Sequence, residues 1–348
     1  MRPYRRPILI GGTLVLATAL ATVAVPASAA TPTMRVLGTL PGYVNSYALA
    51  VNDFGTAVGF ATDANGNDIA VKWTVSGAIV DLGTLPGYDQ SHASDINDLG
   101  QIVGYVEDSA TDEPRAVEWN AKGAITDLGS APGKFSIASA SGINNLGEVV
   151  GEDQTAPRDV GATSWRNGTI NDFGSNEITD LGENGAIAVN DLGAIVGYDF
   201  VLHGGGSAVL WKPDGTFLEL PDLPRDGGGR SHAQANAVND LGEIVGISPT
   251  STPNQYHAVR WDEQGNVTDL GLLPGGSSSS AGGVNDFGVV AGSSDDASGT
   301  TYAVTWNRDG TITTLPGTNA GANAISDTGF IVGTATDAAG NDVAIRWH

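Results

Sequence analysis

"VNDLGEIVGI", residues 238–247, is written almost unchanged as "INDLGQIVGY" from Ile96 and as "VNDLGAIVGY" from Val189. Aligned on its first five residues, the chain holds seven copies: VNDFG at 51, INDLG at 96, INNLG at 143, VNDLG at 189, VNDLG at 238, VNDFG at 284 and ISDTG at 325. They are spaced by 45, 47, 46, 49, 46 and 41 residues. A second motif keeps the same beat and ends at Trp73, Trp119, Trp165, Trp211, Trp261, Trp306 and Trp347, which are all of the chain's tryptophans. A third closes the unit, as VDLGTLPG near Val80, TDLGSAPG near Thr126 and TDLGLLPG near Thr268. Three motifs in fixed order at a period of this length mark a repeat architecture.

Each unit reads as four short strands. The first is rich in small residues, as in Ala48-Leu49-Ala50, and ends at the Asn-Asp. Asn-Asp-Leu-Gly is turn chemistry, because Asn bonds its own backbone two residues on and Gly in the fourth place tolerates positive φ. A type I turn with a bulge joins two strands as a hairpin. The "EIVG" run is the second strand. The third is the "AVRW" run, with Val259 and Trp261 on one face and Arg260 on the other. Two-residue turns are expected at Ser76-Gly77, Lys122-Gly123, Asn167-Gly168, Asp214-Gly215 and Asp309-Gly310, before the fourth strand, the "ITDLG" run. No window shows the 3.6-residue period of a helix.

The expected fold is therefore all-β, a seven-bladed β-propeller with four antiparallel strands per blade. Its rival is an open β-solenoid, which needs polar capping repeats at both ends. Here the last unit stops after its third strand at Trp347-His348, and MRVLGTLPG at 34–42 is a fourth strand without its first three. The two ends supply each other's missing part, so the N-terminal strand is expected to complete the last blade and close the ring without exposed sheet edges.

Residues 1–29 carry Arg2, Arg5 and Arg6, an uncharged apolar run from Ile8 to Val25, and Ala27-Ser28-Ala29 after Pro26. That is the pattern of a secretory signal peptide cleaved before Ala30, and an uncleaved membrane anchor is the alternative. Arg5-Arg6 fits a twin-arginine signal poorly. Residues 30–348 are expected to form a single domain, exported and monomeric, with no further membrane span.

The formal net charge is -23, and losing the three leader arginines makes it more negative still. Such a surface repels phosphate backbones and excludes nucleic acid as a partner. It keeps an exported protein soluble, and it suits cations or basic partners. There is no cysteine. That excludes a thiolate nucleophile, a Cys-zinc site and a disulfide framework, so stability must come from the core.

DLGTLPG, SHASDINDLGQIVGY and HAVRW resemble the motifs of the HAF-repeat family of extracellular repeat proteins, named for a His-Ala-Phe tripeptide ahead of the Trp. Here that tripeptide is His257-Ala258-Val259 in one unit and degenerate in the others. The resemblance covers essentially the whole mature chain. It implies an extracellular protein of undefined activity and brings no catalytic residues with it. The long Ala-rich leader is similar to those of Gram-positive actinobacteria, which implies release to the medium or the cell wall.

A residue present in every unit is expected to be scaffold, and function to sit where the units differ. Those differences collect in two loop sets on one face. One set includes TDANGND at 62 and DFVLHGGG at 199, and the other LPGYDQSHAS at 85 and LPRDGGGRSHAQ at 223. His92 and His232, with Tyr88, His203 and Arg230, could grip an anionic or sugar ligand at the channel mouth, or simply line a wet channel. Asp199, Asp226 and the extra glycines place the strongest break in symmetry in the fourth and fifth units. Asp63, Asn65, Asn67 and Asp68, echoed by Asp337, Asn341 and Asp342, suggest a calcium loop, though Gly falls fourth and not sixth as in an EF-hand. Calcium is the one cofactor candidate, and a plain Asx-rich turn is the alternative. No G-x-S-x-G elbow supports a serine triad.

Three functions remain open. The foremost is a secreted binding scaffold for a glycan or an envelope protein. The others are an extracellular hydrolase or lyase acting on a polysaccharide at the channel mouth, and a purely structural protein. Few histidines and no dense carboxylate cluster on the loop face favour the first over the second.

Overall fold

The computed structural model describes residues 32–111, 113–131, 137–156, 159–173, 182–201, 205–225 and 231–348. The leader expected over residues 1–29 lies outside them. Every regular element among the described residues is a β-strand. In the first unit the four strands are Tyr43–Val51, Ala57–Asp63, Asp68–Trp73 and Ile79–Asp81, paired antiparallel in that order. The other units follow the same order.

Where the sequence predicts seven separate sheets, backbone hydrogen bonding defines six. Five have four strands and one has nine. The third and fourth units share the large sheet through a single parallel bridge, Val160 to Glu183. A short segment, Ser231–His232, adds to its far side against Gly205–Trp211. In the last sheet, Met34–Val36 pairs antiparallel with Asp342–Trp347, in the register Met34 to Trp347 and Val36 to Ile345. Leu37 N–H donates to Ala344 O at 2.8 Å, which carries the pairing onward.

All seven first strands carry a β-bulge. In the first unit Ala48 pairs with Gly59 and Ala50 with Val58, leaving Leu49 as the extra residue. The equivalent residues are Ser94, Ser141, Ile187, Asn236, Gly282 and Asn323, and all seven line one shared cavity of about 290 Å³. A bulge bends a strand and re-aims the extra residue, here into that cavity. Close approach of the bulged first strand explains the "IVG" glycine of the second. A Cβ on Gly59 would lie 1.9 Å from the carbonyl oxygen of Tyr47, and the other units repeat that contact at 1.9 to 2.0 Å.

The core lies between units. Trp73 packs with Ala48, Val71 and Ile69 of its own unit and with Val332 and Ala344 of the seventh. Trp119 packs against Val58 and Ala70 of the first unit, and Trp347 against Ala291 and Leu315 of the sixth. All seven tryptophans are buried. Each hides roughly 150–250 Å², so at about 25 cal/mol per Å² its burial contributes about 4–6 kcal/mol.

The expected two-residue turns before the fourth strand occur only at Asn167-Gly168, where both residues have positive φ (52° and 74°). The others are longer. Thr74 N–H bonds Ala78 O and Gly77 N–H bonds Thr74 O. That form needs positive φ at one residue, a glycine, whereas the two-residue turn needs it at two.

Candidate functional site

The Asn-Asp turns do more than reverse the chain. Gly55, with φ of 73°, donates its N–H to Asn52 O, and Asn52 N–H bonds Thr56 O. The Asn52 side-chain oxygen accepts from Phe54 N–H and Thr56 N–H. Its Nδ2 donates outward to Asn97 O of the next unit at 3.2 Å. The neighbouring acid does the converse. Asp98 Oδ1 accepts the backbone N–H of Asp53 at 2.9 Å. Asn145, Asp191, Asp240, Asp286 and Asp327 each repeat this for the unit before. Asp327 N–H then donates to Asp53 Oδ1 at 2.8 Å, which returns the series to its start. The Asn oxygen thus holds its own turn while its amide reaches the next unit, and the residue after it accepts from the unit before. Sequence reading assigned the pair to the turn alone. The missed signal is that the second position keeps an Oδ1 acceptor in all seven copies, with Asn145 standing for Asp once.

These turns surround a cavity of about 230 Å³ lined by Asp53, Asp98, Asp191, Asp240, Asp286 and Asp327. Partial burial raises the carboxyl groups of Asp240 and Asp327 above the usual range, and the charges of neighbouring acids add to it. Next along the chain stand Phe54, Leu99, Leu146, Leu192, Leu241 and Phe287, each 52–69% exposed. The seventh is Thr328.

On the opposite, variable face the candidates are dispersed. His92 Nε2 lies 3.0 Å from Asp68 Oδ2. Its ring stacks on Tyr105 at 4.6 Å and meets Phe60 at a tilt at 4.3 Å, and Tyr47 stacks on Phe60 at 4.7 Å. Burial lowers the His92 pKa, and Asp68 only partly offsets this. Tyr47 OH donates to Asp342 Oδ2 at 2.9 Å. The structure therefore joins His92 to Asp68, two residues that the sequence placed in different candidate sets. His232 belongs to a separate group, 5.9 Å from Phe200, which in turn meets Tyr198. Tyr198 OH donates to Glu152 Oε1 at 2.6 Å, a pair that sequence reading missed. Asp199 is half-buried, and its pKa is raised by that burial and by the charge of Glu219. Tyr88 packs against the core between the first two units. His203, Asp226 and Arg230 lie outside the described residues.

The suggested calcium loop is a hairpin turn of the same kind as Asn52–Thr56. Asp63 N–H bonds Asn67 O, and Gly66 N–H bonds Asp63 O. Asp63 Oδ1 accepts from the N–H groups of Asn65 and Asn67, and Oδ2 accepts from both side-chain amides. Those donors, Asn67 foremost, hold the carboxyl group down at about 2. Asp337 repeats the arrangement with Ala339 and Asn341. Gly falls fourth because it is the positive-φ residue of this turn. Among the described residues no group of three or more His, Asp or Glu is placed to hold a metal ion.

Among the described residues that line the cavity of the bulges, Asp95 is the one acid. Asp95 accepts from Ile96 N–H and Ile143 N–H, yet burial pushes its carboxyl group up to about 6.

No helix among the described residues is long and apolar enough to cross a membrane. No family model matches the chain, and no curated protein matches it. Solved structures do. A prolyl endopeptidase structure aligns with a TM-score of 0.57 at 12% identity, over 84% of this chain and 47% of that one. TolB from Acinetobacter baumannii aligns at 0.50 and 12%, over 74% and 63%. Oligogalacturonate lyase from Vibrio parahaemolyticus aligns at 0.51 and 8%, over 91% and 97%. The chain thus spans less than two thirds of the first two and nearly all of the third. At these identities the likeness is one of fold, and this all-β chain of four-stranded antiparallel sheets is similar to β-propeller proteins.

Proposed function

We propose that the mature chain is a closed seven-bladed β-propeller that is exported and serves as a non-catalytic binding scaffold for an extracellular ligand, a glycan or an envelope protein. The observation that carries this reading is the series of hydrogen bonds from Asp53 through all seven turns and back to Asp53. A series that returns to its start supports a ring of seven repeats. In this reading the nine-stranded sheet is two blades joined by one bridge. The pairing of Met34–Val36 with the last strand and the packing of Trp73 against the seventh unit support closure. The HAF-like motifs and the leader support export. Binding is favoured over catalysis because the titratable groups of the variable face are engaged separately, His92 with Asp68 and Tyr198 with Glu152.

The test is to screen mature protein against a glycan array and against immobilised envelope proteins, with calcium and with chelator. Saturable binding without turnover, and without a calcium requirement, is expected. Release of cleaved or unsaturated sugars would make it an enzyme, and no binding at all would leave a structural role.

A further inference from the structure

We propose that the face formed by the Asn-Asp turns is a docking surface for a single basic side chain, lysine or arginine, carried on a polypeptide segment with large apolar residues on either side of it. The proposal rests on the scaffold reading and names its binding face and its partner's chemistry.

The first observation is the apolar circle. Phe54, Leu99, Leu146, Leu192, Leu241 and Phe287 occupy the third place of six turns and face solvent. The turn does not ask for them. The same hydrogen-bonded turn occurs elsewhere in this chain with Asn65, Ser76, Lys122, Asp214, Gln264 and Ser298 in that place. A type I turn accepts most residues there. Six of the seven units thus place a large side chain in water at a position where the turn could hold a polar one. Exposed apolar residues scattered singly need no explanation, but six that recur at one place in linked turns do, and exposed apolar surface gathered on one face marks an interaction site. The grouping follows from the hydrogen bonds. Each turn is tied to the next through the residue that directly precedes the apolar one, an acid in every case but Asn145.

The second observation is the charge at the centre. Six carboxylates line the cavity inside this circle. Its volume of about 230 Å³ admits one long side chain and no folded domain. Charge complementarity then selects among the surfaces an apolar rim could meet. A second copy would bring one carboxylate ring onto another. An anionic bilayer would meet the same repulsion. A basic side chain with apolar flanks satisfies both parts of the face at once, with the cation in the mouth and its neighbours on the rim.

The test uses a blocked peptide, acetyl-Gly-Leu-Phe-Lys-Leu-Phe-Gly-amide, titrated into the mature chain by calorimetry in chelator. Two control peptides replace the lysine by glutamine, or the four apolar residues by serine. Two protein variants accompany it. Leu241→Ser with Phe287→Ser strips part of the rim. Asp240→Asn with Asp286→Asn removes charge while keeping the Oδ1 acceptor, as Asn145 does in the natural chain. Saturable binding is expected, weakened at least tenfold by either control peptide and by either variant, with unchanged melting midpoints for both proteins. Lysine and glutamine peptides of equal affinity, or binding that neither variant alters, would overturn the proposal. So would avid binding to phosphatidylcholine vesicles with none to the peptide, or dimerisation abolished by the rim variant. If the peptide fails while an array ligand binds and ignores both variants, this proposal falls and the scaffold reading stands. If neither peptide nor array ligand binds, both fall.

Discussion

Asp327 donates its backbone N–H to the carboxylate of Asp53 at 2.8 Å, across 274 positions of sequence. The same carboxylate oxygen receives Thr328 N–H, and Thr328 Oγ1 donates to Asp53 O. The first and seventh turns are thereby tied as closely as any two neighbours. Asp53→Ala should leave these donors without their acceptor and cost about 1–3 kcal/mol. Asp53→Asn keeps Oδ1 and should cost less than about 0.5 kcal/mol. Urea unfolding of the two variants checks this, and equal losses would mean that charge, not the bond, matters there.

Removal of residues 34–40 should expose the edge of Asp342–Trp347, which now pairs with Met34–Val36. It also takes away buried Leu37 and the Gly38 carbonyl that accepts the Trp73 indole N–H. A loss of several kcal/mol and concentration-dependent aggregation are expected. Thermal melts and light scattering read both effects.

The tryptophans should divide under conservative change. Trp165→Ala should cost about 3–5 kcal/mol, as large truncations in a core do. Trp73, Trp165, Trp261 and Trp347 donate Nε1–H to the carbonyls of Gly38, Gly129, Pro221 and Pro316. The buried Nε1 atoms of Trp119 and Trp306 have no acceptor among the described residues. Trp→Phe should therefore cost about 1 kcal/mol more at the first four sites than at these two.

Asp95 supplies a pH signature. Its folded value of about 6 lies above the ordinary 3.8. A raised folded value means that the native state holds the proton more tightly than the unfolded chain. The stabilisation is complete below about pH 4 and is lost as pH rises through about 6. Asp95→Ala restores the alanine found at the same place as Ala50, Ala188, Ala237 and Ala324. Discounted for solvent near the channel, the variant should gain about 1–2 kcal/mol on wild type between pH 4 and pH 7. Unfolding midpoints across that range measure the difference, and parallel curves would contradict it.

The seven tryptophans and the Asn-Asp turns were legible because each serves a local need, a filled core or a reversed chain, in every copy. The bulge at Leu49 was not, because a one-residue register shift between paired strands leaves no mark on the alternation of either strand. Nor was the partner of Asp53, since a bond between units leaves no local spacing. Loop variability pointed to His92 and His232, and the fold puts them in separate aromatic groups. The exposed circle of Phe54 and Leu99 was hidden by its own regularity. A residue repeated in each turn reads as scaffold until its solvent exposure is seen.

Closure of the ring is tested most directly by a cysteine pair, in a chain that has no cysteine of its own. Val36 and Ile345 are directly paired across the first and last strands. Val36→Cys with Ile345→Cys should oxidise within one molecule. The product should stay monomeric on a non-reducing gel and unfold with about 2–4 kcal/mol more stability than its reduced form. Disulfide-linked dimers and polymers, with no intramolecular bond, would show that the two strands do not meet in one chain and would contradict the closed ring.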